Sequence, residues 1–312
     1  MTVFRLIRRI AAISTVALVA ACGSDDHPAA AVDVVATAKS DPRFTVLVEA
    51  VTAADLGTTL SGPGPFTVLA PTNDAFTALL AELGVTKAQL LANKTLLTEV
   101  LKYHVLPARV ARADVPLGRP ITPLSGGIFK VDAVGSGLVV TDGRNRTATI
   151  VQTDLSASNG VIHVIDKVLL PADKTIVQTA AANPAFSILV EAVTAANLGA
   201  TLSGTGPFTV FAPTNDAFAA LLAELGITKA QLLANTALLT KVLTYHVVPS
   251  RVLKAQVPVG TPITTVAGET FTVDGTLSIT DQRGRVARIT ATDVLASNGV
   301  IHVIDKVVLP RP

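Results

Sequence analysis

The chain has no tryptophan, two tyrosines, one methionine and one cysteine among 312 residues, and only 15% of its residues are charged. The missing tryptophans count against an exposed stacking platform of the kind that sugar- and base-binding modules use. A single cysteine, Cys22, leaves no partner for an intramolecular disulfide, so the fold must be stable by packing alone. A formal charge of +2 gives no basic footprint for nucleic acid. No Gly-x-Ser-x-Gly elbow, phosphate loop or dinucleotide fingerprint occurs, so the common hydrolase and nucleotide-binding signatures are absent. What is abundant is apolar: 49% of the residues are hydrophobic, enough for a large buried core.

The chain repeats itself. Phe66 to Phe76, FTVLAPTNDAF, returns as FTVFAPTNDAF at Phe208 to Phe218, an offset of 142 residues. Tyr103-His104-Val105 returns at Tyr245-His246-Val247 with the same offset, and Asn159 to Lys167 returns as Asn298 to Lys306 with an offset of 139. The three lost residues fall in one turn, Ala133 to Leu138 against Gly275-Thr276-Leu277. A period this long exceeds a solenoid repeat, so each copy is expected to own a core. From Phe44 to Pro107 the copies differ at 13 of 64 positions, mostly by volume-sparing swaps that cores tolerate. A catalytic site built across the two copies would need residues present in only one of them.

Residues 1–21 read as a targeting segment. Arg5, Arg8 and Arg9 precede an apolar run from Ile10 to Ala21 that is too short to span a bilayer. Val19-Ala20-Ala21-Cys22 resembles the bacterial lipobox, which implies a lipidated Cys22 as the first mature residue. Residues 22–31 are small or polar and read as a tether. Removing the three arginines takes the formal charge from +2 to −1.

Within each copy the first half has helical spacing and the second half alternates. Asp41-Pro42 and Asn183-Pro184 read as helix starts, since proline costs little in a first turn. Phe66 to Leu69 reads as a short buried strand. Thr72 reads as the cap of a helix carrying Phe76, Leu79, Leu80 and Leu83 that closes at Gly84. Thr95 to His104 reads as another, with Leu97, Val100 and Leu101 inward. Then Ile128 to Val134, Leu138 to Thr141 and Thr147 to Asp154 read as strands, with turns at Gly135-Ser136-Gly137 and Asp142-Gly143-Arg144-Asn145. Val161 to Leu170 is apolar on both faces and is expected to be the longest strand and central. Each copy is thus an α+β unit with an antiparallel meander under helices. The units are residues 32–171 and 172–312, with a short join at Pro171 to Lys174.

FTVLAPTNDAF, YHVLP and NGVIHVIDKVLLP, each present twice and in order, resemble the boxes of the fasciclin (FAS1) family. The resemblance covers both copies. It implies a compact α+β wedge with a β-sandwich-like core, and a role in adhesion or extracellular contact from a surface anchor. It makes the Tyr-His box, here Tyr103-His104 and Tyr245-His246, a candidate interaction motif. Neither copy contains Arg-Gly-Asp.

The other polar residues have structural explanations of their own. His27 lies in the tether, and the remaining histidines pair across the repeats as His104/His246 and His163/His302 without metal-ligand spacing. Thr72-Asn73-Asp74 fits a helix cap. Asp154 and Asp166 are the best carboxylate pair, with Asp154 expected to lead from its strand into a turn and Asp166 expected in a strand. Neither catalytic residues nor a cofactor are expected. The reading is a non-catalytic envelope protein held to a membrane through Cys22 and contacting an extracellular protein, matrix or glycan; the alternative is an envelope glycan or small-ligand binder. A polar, convergent pocket would favour the alternative, and an apolar patch the first reading.

Overall fold

Asp33 starts the first repeat as a helix cap, its carboxylate accepting from the Ala36 N–H at the head of α1 (Val34–Lys39). The computed structural model describes residues 32–312; the targeting segment (residues 1–21), Cys22 and the tether (22–31) lie outside the described residues. After a 3₁₀ turn at Pro42–Phe44 come α2 (Thr45–Ala53) and α3 (Gly57–Leu60). Strand β1 (Phe66–Pro71) then leads into α4 (Asn73–Leu83). Thr72 caps α4 and Gly84, at φ 63°, closes it. Helix α5 (Lys87–Ala92) begins with a Thr86/Gln89 capping box, and α6 (Lys94–Tyr103) buries Leu97, Val100 and Leu101.

The strands that follow are β2 (Val105–Leu106), β3 (Pro120–Ile121), β4 (Phe129–Val134), β5 (Gly137–Thr141), β6 (Thr147–Ala157) and β7 (Gly160–Ile165). They form one sheet with β1 in the order β2-β1-β7-β6-β5-β4-β3. The second repeat copies this sequence of elements. Its helices are α7 (Ile176–Ala181), α8 (Ser187–Ala195), α9 (Gly199–Leu202), α10 (Asn215–Leu225), α11 (Lys229–Ala234) and α12 (Thr236–Tyr245). Its strands are β8 (Phe208–Pro213), β9 (Val247–Val248), β10 (Pro262–Thr264), β11 (Thr270–Val273), β12 (Ser278–Thr280), β13 (Val286–Ala296) and β14 (Gly299–Ile304), ordered β10-β11-β12-β13-β14-β8-β9.

The fold is α+β, but the sheets are not wholly antiparallel. Strand β7 is central, with β6 antiparallel on one side and β1 parallel on the other, from Phe66 opposite Gly160 to Pro71 opposite Ile165. The helical half makes this possible, because β1 comes first in the chain and β7 last, joined by a long crossover. Strand β7 ends at Ile165, so the longest strand is β6, with 11 residues. Asp166 and Lys167 form an exposed bend where the chain leaves the sheet, the Asp166 carboxylate turning back to accept from the Thr149 N–H, and Val168 to Leu170 are buried beyond it. Asp154 is not at a turn. It sits inside β6 at an irregularity in the β6–β7 register with φ 61°, and its carboxylate accepts from the Arg112 N–H.

Alternation divides each sheet between two cores. In the first repeat Val68, Ala70, Ile162 and Val164 face the helices, beside Phe44, Leu47, Phe76, Leu97 and Leu101. Leu69 and Ile165 face the other way, into a second cluster with Tyr103, Phe129, Val131, Val140 and Ile150. The sheet therefore folds over a core of its own, which is the sandwich-like part. The second repeat has the same pair of clusters. A fifth cluster belongs to neither repeat alone, because Ile128 of the first packs with Leu253, Leu295 and Val300 of the second.

Asp142 and its counterpart Asp281 fix the end of each sheet. The buried Asp142 carboxylate accepts from the N–H groups of Arg144, Arg146 and Leu170, closing the β5–β6 turn and tying the departing chain to it. Asp281 repeats this with Arg283, Arg285 and Leu309. Asp142→Ala leaves the buried Leu170 N–H unpaired and is expected to destabilise the first domain by about 1–3 kcal/mol. Urea unfolding followed by circular dichroism checks this, and an unchanged midpoint would contradict it.

Candidate functional site

The sequence-nominated residues occupy the corner where the last helix of each repeat meets the sheet. Helix α6 ends at Tyr103, and its C-terminal turn delivers the Tyr103 and His104 side chains inward. Tyr103 has no exposed surface and His104 is 2% exposed. Tyr245 and His246 are buried to the same extent. The Tyr103 hydroxyl donates to the Ile128 carbonyl, and that of Tyr245 donates to Thr270 O at 2.8 Å. Burial raises both hydroxyl pKa values well above the ordinary range, so they stay donors. The Tyr103 ring meets Phe129 edge-on at 5.8 Å, and Tyr245 meets Phe271 the same way at 5.9 Å.

Both ring nitrogens of each described histidine bond to backbone. His104 Nδ1 lies 2.7 Å from Val100 O, and Nε2 accepts from the Leu169 N–H at 2.9 Å. His246 does the same with Val242 O and the Val308 N–H. These partners dictate a neutral ring with its proton on Nδ1. His163 and His302 carry theirs on Nε2, facing Val110 O and Val252 O at 2.8 Å, while Nδ1 accepts from the N–H of Asp154 or Asp293. His104 and His246 thus tie the last helix to the chain that leaves the sheet, and His163 and His302 tie the long strand to the loop that follows the helices. No trio of His, Cys, Asp or Glu among the described residues is placed to hold a metal ion. Asp154 and Asp166 are each engaged with backbone N–H groups. Asn73 does more than stand in a cap: its amide joins α4 to α2 by accepting from Val46 N and donating to Pro42 O.

A second region joins the repeats, and it was not singled out in the sequence. Lys130 of β4 pairs with Asp293 of β13 at 2.9 Å, with 13% and 3% of their side chains exposed, and also with Asp132 at 3.0 Å. Burial works against the Lys130 ammonium, but the carboxylates of Asp293 and Asp132 outweigh it and hold its pKa above the ordinary value. Asn145, in the turn after β5, accepts from the Leu295 N–H at 2.6 Å and donates to Leu295 O at 3.0 Å. Beside it a polar cleft of about 310 Å³ is lined by Arg144, Asn145, Asp173, Lys174 and Thr179. Arg144 and Asp173 neutralise one another there at 3.1 Å. Other concavities are apolar, among them one in the first repeat lined by Val34, Leu47, Val48, Val51 and Leu60, and its counterpart in the second. The sequence signal for the junction was available: Lys130 and Asn145 face Thr272 and Gly284 in the other copy, two of the positions where the repeats do not match.

The model of the fasciclin domain matches residues 42–171 and again 184–310. The chain belongs to the fasciclin family. Among its relatives, transforming growth factor-beta-induced protein ig-h3 of Sus scrofa is 31% identical over 253 residues, 80% of this chain and 35% of that protein. Protein sll1483 of Synechocystis sp. is 49% identical over 150 residues, 47% of this chain and 79% of that one. The chain thus spans about a third of the length of the pig relative. A solved FAS1 domain pair from the insect cell adhesion molecule Fasciclin I aligns with a TM-score of 0.44 at 19% identity, covering 88% of this chain and 95% of that one. None of the described helices is long and apolar enough to cross a membrane.

The buried histidines of this chain predict an acid sensitivity. Burial pushes His104 and His246 down to about 4, and lowers His302 as well. An unfolded histidine titrates near 6.5, so between these values the unfolded chain binds protons that the native one refuses. This contribution to stability is therefore complete above about pH 6.5 and is lost as pH falls toward 4, by about 3 kcal/mol for each of His104 and His246. The urea midpoint at pH 5 is expected below that at pH 7.5, and His104→Gln should flatten the dependence of the first domain. A midpoint unchanged between pH 7.5 and 5 would contradict the assignment.

Proposed function

We propose that this chain is a lipid-anchored protein of the bacterial cell envelope that makes adhesive or matrix contacts and performs no catalysis. The observation that carries the reading is the fate of its reactive side chains. All four described histidines are spent on backbone hydrogen bonds inside the fold, and the two carboxylates best placed by sequence cap backbone N–H groups. Membership of the fasciclin family supports extracellular contact, and the Val19-Ala20-Ala21-Cys22 motif supports an anchor at Cys22. Two copies in one chain would let a weak contact act bivalently.

The Tyr-His boxes act as structural corners in this reading. Tyr103→Phe removes one buried hydroxyl and is expected to cost about 1 kcal/mol; His104→Ala costs more. Adhesion of whole cells to matrix should fall only as far as the protein unfolds. A variant that keeps its full melting temperature while losing adhesion would make the box a contact surface. Cys22→Ser should release the protein from the membrane fraction or block its processing, because stable anchoring needs more than one acyl chain. A mature-sized variant that still fractionates with membranes would overturn the anchor.

One feature favours a second reading, an envelope glycan or small-ligand binder: the polar cleft at Arg144, Asn145, Lys174 and Thr179. Soluble glycan fragments that raise the melting temperature of the wild type, but not of Lys174→Ala, would move the function there.

A further inference from the structure

The two repeats meet head to tail, with β4 and the β5–β6 turn of the first against β13 and the segment before its 3₁₀ turn (Lys254–Gln256) in the second. A head-to-tail contact between like units has no internal stop. If every unit carried both faces, the contact would continue from molecule to molecule as an open fibre. Each repeat here therefore has one face engaged by its sibling and, among the described residues, the homologous other face left free by it.

The side chains at those free faces differ from those at the junction. The face of the first repeat that is engaged offers Ile128, Lys130 and Asn145; the same positions in the second repeat are Thr270, Thr272 and Gly284. The face of the second repeat that is engaged offers Leu253, Asp293 and Leu295; the same positions in the first repeat are Ala111, Asp154 and Ser156. Leu253 and Leu295 are 0% and 1% exposed, whereas Ser156 and Asp154 lie exposed at the free end. The aspartate is common to both because it has work within its own domain. Asp154 accepts from Arg112 N as Asp293 does from Lys254 N, at 2.9 and 2.7 Å. What the free faces lack is the apolar cluster, the ammonium and the amide.

Asn145 shows that this is more than surface drift. Its φ is 63°, in the left-handed region, where the second repeat has Gly284 at 72°. Glycine is the easier residue there. The asparagine side chain reaches both backbone groups of Leu295, in the manner of an added strand. Gly143 is the complementary case. A Cβ at this position would lie 2.2 Å from Ala172 N, so glycine leaves room for the join between repeats. The second repeat has Gln282 in its place.

We propose that these unmatched positions encode a one-way interface that closes after a single step, so that the chain's free faces reject a second copy and the pair remains a single unit. The specificity lies in three elements lost together at the free faces: a small apolar cluster, a buried ion pair and an amide clip on the stretch of β13 that pairs with β14 but not with β12.

The test moves the interface outward in the full chain. One variant carries Thr270→Ile, Thr272→Lys and Gly284→Asn; a second carries Ala111→Leu and Ser156→Leu; a third carries all five. Every imported residue is one that the sibling repeat already holds at the same position, so the fold should accept it. By size-exclusion chromatography with light scattering, the wild type and the two partial variants are expected to be monomers. Mixing the two partial variants should give one-to-one dimers, and the fivefold variant should give open-ended oligomers that dissociate as salt rises. A fivefold variant that melts like the wild type and stays monomeric at millimolar concentration would overturn the proposal. The converse variant, Ile128→Thr, Lys130→Thr and Asn145→Gly, should separate the wild-type pair, giving two independent melting transitions and a larger radius of gyration. A single unchanged transition and radius would overturn the proposal equally, and would do so without depending on the fivefold variant.

Discussion

Each domain depends on the parallel pairing of β1 with β7. It sets two strands from opposite ends of the repeat side by side, and everything between them must travel out and back. The crossover leaves much irregular backbone next to a dry core, where every N–H and C=O needs a partner. The fold meets that need with side chains. Asn159, at the start of β7, accepts from Val34 N and donates to Leu60 O and Gly62 O, binding α1 and the end of α3 to the β6–β7 turn. The backbone carbonyl of the same residue receives the Phe66 N–H that begins β1. Thr67 accepts from Val110 N and donates to Ala108 O. The histidines and Asp142 continue the pattern around the rim of the sheet. Residues that look chemically capable are mostly occupied in holding up this pairing.

Local features were legible in the sequence because their causes are local. Thr72 and Gly84 bound α4 through a hydroxyl and a left-handed residue, each visible three or four residues away. The hairpin from Phe129 to Thr141 follows from alternation and glycine. Non-local features were not legible. That β1 would lie parallel to β7 depends on a partner some 90 residues away, and nothing in Phe66 to Pro71 states it. The largely apolar segment Val161 to Leu170 reads as one long strand. Burial without pairing looks the same in sequence, and the run in fact leaves the sheet at Asp166. Asp154 reads as a strand end leading into a turn; the strand instead runs on to Ala157, and Asp154 takes its positive φ inside it, where the register of β6 shifts against β7.

The Tyr-His box illustrates why a motif can be prominent without being a surface. Tyr103 and His104 follow one another at a helix end, yet one packs into the sheet core and the other bridges Val100 to Leu169. Both jobs demand a particular shape and a particular hydrogen-bond tip, and few other side chains supply either. A residue type can be fixed as firmly by an interior that must be filled and satisfied as by a partner that must be recognised.

Duplication supplies the control that a single domain lacks. Where both copies keep a residue and its partners, as with Asp142 and Asp281 or His104 and His246, the cause lies within the domain. Where the copies disagree and the structure differs in the same place, the cause lies in how the domains are used. Lys130 against Thr272 is such a place: the ammonium is worth burying only where a carboxylate from the neighbouring domain waits for it, since an unpaired buried charge costs far more than the pair returns. The threonine at the free end keeps the strand without inviting a partner. By the same comparison, the core positions shared by both repeats report on the fold of one domain, and unmatched positions such as Lys130 and Asn145 report on the contact between the two.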